Sequence, residues 1–390
     1  MNIIFFSPHF PQNSTYFCTH LKNNGANVLG IGDTPYESLS DPLKEALTDY
    51  LHIKHMDDYD EVLKAVGYFT HKFGKIERFE SLNDHWLELE AKIRTDFNIY
   101  GTKLDFVYDV IHKSKMKKFF EKCDVTMIRS VKDVTYTKAA EFIKLVGYPI
   151  VIKPDLGAGA SMTSKINNDN ELNQFFEQKP TEVNFIAEEF IEGNVLTYDG
   201  LIDRDGVVQF EATHLFDQSI MTVVNTNDHL HYYCLKDVPP KVRHAGQNIL
   251  RSFDIKERFF HIELFESKKN GNLYALEVNM RPPGAWMTDA INYSYDIDIY
   301  KEWANMVVHN QVITPKEGTY YTAYASRKDH KHYVHSHEDL LSTYSPYLVN
   351  YNRIEDVFSQ AMGNYAYQFR AETFEKVQSI VSFVQDEMRN

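Results

Sequence analysis

The residues best suited to chemistry fall on one predicted hairpin. Glu277, Asn279 and Arg281 alternate along a run that begins near Leu273. The two-residue period of a strand places all three on one face, if the strand continues that far, and leaves Tyr274, Leu276, Val278 and Met280 on the other. On the preceding run, Phe259–Glu266, Glu263 stands between Ile262 and Leu264. The connection Lys268–Asn272 carries Asn-Gly turn chemistry, so a hairpin brings Glu263 beside Glu277. Two adjacent carboxylates repel unless a cation holds them, and hard oxygen ligands suit Mg2+ that bridges phosphates. Asn279 adds a neutral oxygen, and Arg281 adds a planar cationic fork for a carboxylate or phosphoryl group. The competing reading is a solvated sheet face with alternating charge, although such faces usually carry Thr and Lys rather than paired Glu.

A second cluster is cationic. Lys153 ends the apolar strand Ile150–Lys153, and the small-residue loop Gly157–Ser161 follows it. A lysine beside a loop of exposed N–H groups suits a polyphosphate. No GK[ST] follows, so this is not a P-loop, and a plain flexible hairpin is the alternative. The run Phe185–Gly193 turns acidic at Glu188, Glu189 and Glu192. Its backbone could bond an adenine, or it could be an edge strand guarded by charge. Lys113, Lys115, Lys117, Lys118 and Lys122 read mostly as a solvated helix face. The tract His330, His332, His335 and His337 reads as a polar loop ahead of a zinc site, because no Cys or carboxylate motif completes a ligand set. Trp286 and Met287 fit a substrate wall and core packing equally. His214 reads as a satisfied sheet histidine.

These groups need a scaffold, and the chain is long enough to supply one. Its 390 residues suggest two or three domains. A net charge of -14 argues against broad binding to nucleic acid or to anionic membranes, but not against a small anionic ligand. Three scattered cysteines fit a reducing compartment, and the N-terminal run reads as a strand rather than a leader. No apolar run approaches the ~20 residues of a membrane span. The expected location is the cytoplasm.

Strand and helix signals alternate over the first hundred residues: Asn2–Phe6, Ser14–Asn24, Asn27–Gly32, Tyr50–Lys54, Asp58–Phe73, Lys75–Phe79 and His85–Phe97. That order suggests a small parallel α/β domain, residues 1–104. Its first strand–helix junction has no GxGxxG. A long helix is expected over Asp105–Lys122, then a strand Thr126–Val131 and a helix Thr135–Val146, within a unit 105–185. Strands dominate a third unit, 186–310. The tail, 311–390, reads as a strand, the His-rich loop and a final helix Ala371–Met388. The fold class is α/β to α+β.

Taken in order, these elements resemble the ATP-grasp superfamily, from about His112 to Gly284, with the short α/β domain similar to the one that precedes the grasp fold. The resemblance implies that Lys113 and Lys153 touch ATP phosphates. It implies a closing loop that includes Gly157, Gly159 and Ser161, and an adenine-binding hinge at Glu188, Glu189, Phe190 and Ile191. Glu263, Glu277 and Asn279 match the magnesium ligands, holding two Mg2+ ions or Mn2+ in their place, and Arg281 matches the arginine at the reacting centre. Val195 stands where many members carry a ribose-binding Glu. The stretch Leu276–Trp286 looks most like the carboxylate–amine ligase branch, which includes L-amino-acid (dipeptide) ligases. That branch implies MgATP, a small carboxylate and an amine as substrates, an acyl-phosphate intermediate and ADP as product. Homodimers are common in it. Two alternatives are a biotin-carboxylase-like enzyme that activates bicarbonate, and a nucleotide-binding regulator without turnover.

Overall fold

The computed structural model describes residues 1–157 and 162–388. The chain opens on the strand Asn2–Phe6, whose side chains Ile3, Ile4, Phe5 and Phe6 are wholly buried. Continuous apolar character of this kind suits a parallel sheet covered on both faces. Asn2–Phe6 pairs in parallel with Asn27–Gly32 and Arg78–Glu80, and Asn27–Gly32 pairs with Asp49–His52. The order across the sheet is third, second, first, fourth. The strands expected at Tyr50–Lys54 and Lys75–Phe79 are thus displaced by one to three residues. The helix Tyr59–Phe73 starts where the Asp58 carboxylate accepts the amides of Asp60 and Glu61.

The single helix expected over Asp105–Lys122 is two, Leu104–Ile111 and Lys113–Phe120, broken at His112. Asp155 explains the break. Its carboxylate accepts the Ser114 amide at 2.7 Å and the Ser114 hydroxyl at 2.9 Å, while its carbonyl accepts the Lys113 amide at 2.9 Å. A carboxylate at a fresh helix N-terminus satisfies donors that the break exposes. The same contacts tie Lys113 to the strand Ile150–Pro154 that carries Lys153.

That strand belongs to a four-stranded antiparallel sheet in the order Ser130–Val131, Phe185–Glu189, Ile150–Pro154, Ser164–Ile166. Its apolar face packs Ile150, Ile152, Phe185 and Ala187 against Ala139 and Phe142 of the helix Tyr136–Val146 and Leu172 of Asp169–Gln178. The strand expected at Thr126–Val131 is split. Thr126–Met127 pairs in parallel with Leu273–Asn279 in another sheet, and only Ser130–Val131 joins this one. The segment therefore crosses between the two sheets.

The larger sheet has ten strands. Its centre is Gly193–Ile202, Arg258–Ser267 and Leu273–Asn279, all antiparallel. The helix Pro240–Ser252 lies close on this centre: a Cβ on Gly246 would fall 2.0 Å from the Tyr198 ring. Only a glycine permits that approach. The C-terminal residues extend the same sheet. Tyr321–Arg327, Leu348–Arg353 and Tyr365–Ala371 add three strands beyond His231–Cys234. The tail thus holds more strand than expected, and Ala371 ends a strand instead of starting the last helix. That helix is Phe374–Val384, capped by the Thr373 side chain. Among the described residues no helix is long and apolar enough to cross a membrane.

Candidate active site

The two sheets face each other across a cavity of about 610 Å3. On the larger sheet, Glu263 and Glu277 are direct cross-strand partners, and His261 pairs with Asn279. The register then shifts, because Leu264 pairs with Ala275 and leaves Leu276 unopposed. This bulge corrects one expectation. Leu276 joins the cavity wall with Glu277 and Asn279, while Ala275 and Val278 enter the core. A bulge turns one extra residue out of the alternation, so strict period two fails there.

Burial pushes the Glu277 carboxyl above its ordinary range; Lys113 opposes this from 3.6 Å, and the Glu263 charge adds to it. Burial also disfavours the Glu263 charge, but His261, Arg281 and Lys153 outweigh it and keep that carboxyl below its ordinary range. Two half-buried carboxylates that hold each other apart in this way are a donor set fit for a divalent cation.

The facing sheet supplies Lys153, and the helix Lys113–Phe120 supplies Lys113 and Lys117. Lys153 is buried, with Nζ 2.7 Å from Glu188 Oε2. Lys117 reaches the other oxygen of Glu188 at 2.7 Å. Burial disfavours the Glu188 charge, yet the two ammonium groups hold its pKa down at about 2. Lys113 donates from Nζ to the Gly157 carbonyl. Gly159 and Ser161, the rest of the expected closing loop, lie outside the described residues.

The expected hinge divides into two kinds of residue. Glu188 pairs with Ser130 on one side and Val151 on the other. Its backbone is therefore inside the sheet, and its side chain serves the lysines. The Glu188 carboxylate thereby fixes the positions of Lys153 and Lys117. The Glu189 side chain turns to Arg129, accepting the Arg129 amide at 3.0 Å. Phe190 and Ile191 follow the strand and line the cavity, with Lys165 Nζ 3.9 Å over the Phe190 ring. An apolar patch at Val195, Phe216 and Phe265 lines the cavity nearby, with Thr197, Asp217 and Gln218 in the same lining. Val195 pairs with both Phe216 and Phe265 on flanking strands.

Arg281 lies just past the strand end and opens on the cavity. Its Nε donates to Asp84 Oδ2, and its Nη1 donates to the Pro282 carbonyl at 2.8 Å. Asp84 follows the strand Arg78–Glu80 of the parallel sheet, and its sequence setting does not single it out. Asn83 takes the capping role there, accepting the His85 amide at 3.0 Å, which frees Asp84 to reach across. Lys117, grouped by sequence with a mostly solvated helix face, is buried, and Asp155 escapes a sequence reading. The i, i+4 spacing of Lys113 and Lys117 is the one signal that could have found Lys117. Met287 lines the cavity, whereas Trp286 packs edge-on against Tyr324 at 5.7 Å between ring centres.

Among the described residues the histidine tract joins no group of three metal-type ligands. His335 stacks on Phe383, and His337 Nδ1 sits 2.9 Å from the Tyr367 hydroxyl. Among the described residues, Asp228, His229 and Glu387 form the one cluster of three metal-type ligands. Lys331 already serves its carboxylates at 2.8 and 2.7 Å.

Residues 146–289 match the family model for the ATP-grasp domain. The chain is 22% identical over 323 residues to the L-arginine-specific L-amino acid ligase of Bacillus subtilis, which covers 76% of this chain and 73% of that protein. Among solved structures, the L-amino acid ligase of Bacillus licheniformis superposes with a TM-score of 0.75 at 14% identity, over 99% of this chain and 96% of that one. The ADP-bound N5-carboxyaminoimidazole synthetase of Staphylococcus aureus gives 0.69 at 14% identity, over 98% and 96% of the two chains.

Proposed function

We propose that this chain, whose residues 146–289 match the ATP-grasp domain model, joins an amino acid or other small carboxylic acid to an amine, with ATP as the energy source. One observation carries the reading. The carboxylate pair Glu263–Glu277, with Lys113 beside it at 3.6 Å, shares one cavity with Lys153 of the facing sheet and with Arg281. A polyphosphate needs cations from both sides, and a reacting carboxylate needs a fork of its own.

The chemistry balances as follows. A carboxylate oxygen of the acid attacks the γ-phosphorus of ATP, the bond to the bridging oxygen breaks, and ADP leaves. The amine then attacks the acyl carbon, loses a proton, and expels inorganic phosphate with the former carboxylate oxygen. Phosphoryl transfer of this kind rests on positioning and charge neutralisation. Lys113 and Lys153 supply the fixed positive charge. Glu263, Glu277 and Asn279 are the residues that would hold two Mg2+ ions, which neutralise phosphate charge when bound. Arg281 grips the acid's carboxylate and then steadies the oxyanion formed at its carbon. Phe190 and Ile191 border the adenine.

The test is an ADP-release screen of acid and amine pairs with MgATP, with mass spectrometry of the product. A condensed product that appears with ADP supports the ligase. ADP release that needs bicarbonate and biotin but no amine would replace it with carboxylation chemistry. MgATP binding without ADP release from any pair would leave a regulator.

The apolar wall at Val195 predicts weak reading of the ribose. We expect 2′-deoxy-ATP to support turnover within about threefold of ATP in kcat/KM, no more than the low end of what one neutral hydrogen bond is worth. A tenfold or larger preference for ATP would place a hydroxyl contact elsewhere on the wall.

A further inference from the structure

Behind the carboxylate pair runs a buried chain of polar groups that the reaction above does not use. His261 Nδ1 lies 2.5 Å from Asp199 Oδ1, and His261 Nε2 lies 3.3 Å from Glu263 Oε1. Asp199 is wholly buried and is the cross-strand partner of His261. Its Oδ2 takes His214 Nδ1 at 2.7 Å and also accepts the Thr197 hydroxyl. The Thr197 oxygen accepts the His214 amide at 2.9 Å. His214 Nε2 faces the Met287 carbonyl at 3.2 Å, at the start of the helix that follows the Arg281 turn. Met287, His214, Asp199, His261 and Glu263 are thus linked without a gap.

A carboxylate and two imidazoles in the middle of a sheet are costly to desolvate, and aliphatic residues would fill the same space without that cost. The linkage ends on Glu263, the one member of the chain that presents a carboxylate to the cavity. A glutamate loses rotamer freedom when it binds a cation. Holding one carboxylate oxygen from behind removes part of that loss and aims the other oxygen forward. Partners that orient a metal's ligands typically change its affinity about 10- to 100-fold.

We infer that His261 and Asp199 are positioning residues that hold the Glu263 carboxylate ready for a divalent cation, with His214 and Thr197 fixing Asp199 in turn. The inference rests on the reading that Glu263 and Glu277 hold metal. It is tested by titrating Mn2+ into the protein with ADP present, followed by electron paramagnetic resonance. His261→Asn keeps a donor near Asp199 and loses the one near Glu263. His261→Gln can keep a donor near Glu263. We expect His261→Asn to weaken Mn2+ about 10- to 100-fold, and His261→Gln to recover part of that loss. ADP affinity without metal should stay at the wild-type value, and the thermal midpoint separates a folding defect from a metal defect. If His261→Asn does not fold, Thr197→Val is read in its place, with a smaller loss of about threefold for one removed hydroxyl.

Glu277→Ala separates the two levels of the argument. Wild-type Mn2+ affinity in the folded histidine and threonine variants, with affinity lost in Glu277→Ala, would overturn the positioning role and leave the metal reading standing. Wild-type affinity in Glu277→Ala would overturn the metal reading and the positioning role with it.

Discussion

Glu277→Ala is expected to bring ADP formation below detection, a loss of about 10³-fold or more in kcat, comparable with removing a transition-state stabiliser. The argument is electrostatic. Glu277 lies between Glu263, its cross-strand partner, and Lys113 at 3.6 Å. Without Glu277 the cavity keeps Lys113, Lys153 and Arg281 but loses one carboxylate of the proposed metal site. ATP can still meet the lysines, so binding should survive better than turnover. The check is a coupled ADP assay over a Mg2+ titration, with nucleotide affinity measured in parallel. Glu277→Gln, nearly the same size, controls for packing and should also be impaired. Turnover at the wild-type rate in Glu277→Ala would remove this residue from any metal site.

The second large effect is expected at Arg281. Arg281→Ala should lower kcat by about 10²- to 10³-fold, the range seen when one oxyanion donor is lost, while the KM for ATP changes little. The reason is placement: Arg281 sits past the strand end and is tied to Asp84 and to the Pro282 carbonyl, whereas Lys153 is tied to Glu188. Asp84→Asn should cost less, about tenfold, because the guanidinium keeps its charge and loses only its partner. If Asp84 works by aiming Arg281, its loss should have little further effect once Arg281 is alanine. That non-additivity is the signature of coupled residues. Equal loss in ATP affinity and kcat for Arg281→Ala would instead place the arginine on the nucleotide. Additive effects of the two substitutions would separate Asp84 from it.

Much of the site could be read locally. Alternation along Leu273–Arg281 and the Asn-Gly turn are signals within one hairpin, so the facing of Glu263 and Glu277 needed only strand geometry and turn chemistry. The same locality limited the reading. The bulge at Leu276 depends on how two strands settle against each other, and it moves Leu276 from the expected core face to the cavity. The break at His112 depends on Asp155, over forty residues away in sequence, offering its carboxylate to Ser114. The pairing of Glu188 with strands on both sides likewise depends on segments more than thirty residues away in sequence, Ser130 and Val151.

By itself, then, the amino-acid sequence determined the kinds of charge this protein brings to its ligand: paired carboxylates on one hairpin, a lysine before a small-residue loop, and an arginine fork. It also determined the alternation of strand and helix that begins the chain, because periodicity and capping act over a few residues. The tertiary structure decided which charge meets which. Lys117 and Lys153 share Glu188, Asp84 reaches Arg281 from just past the strand Arg78–Glu80, and Asp199 joins two histidines behind Glu263. Each of these pairs is distant in sequence or lies on neighbouring strands, and an ion pair carries no pattern along the chain. Its partners are chosen by burial, where an unmatched charge is too costly to keep.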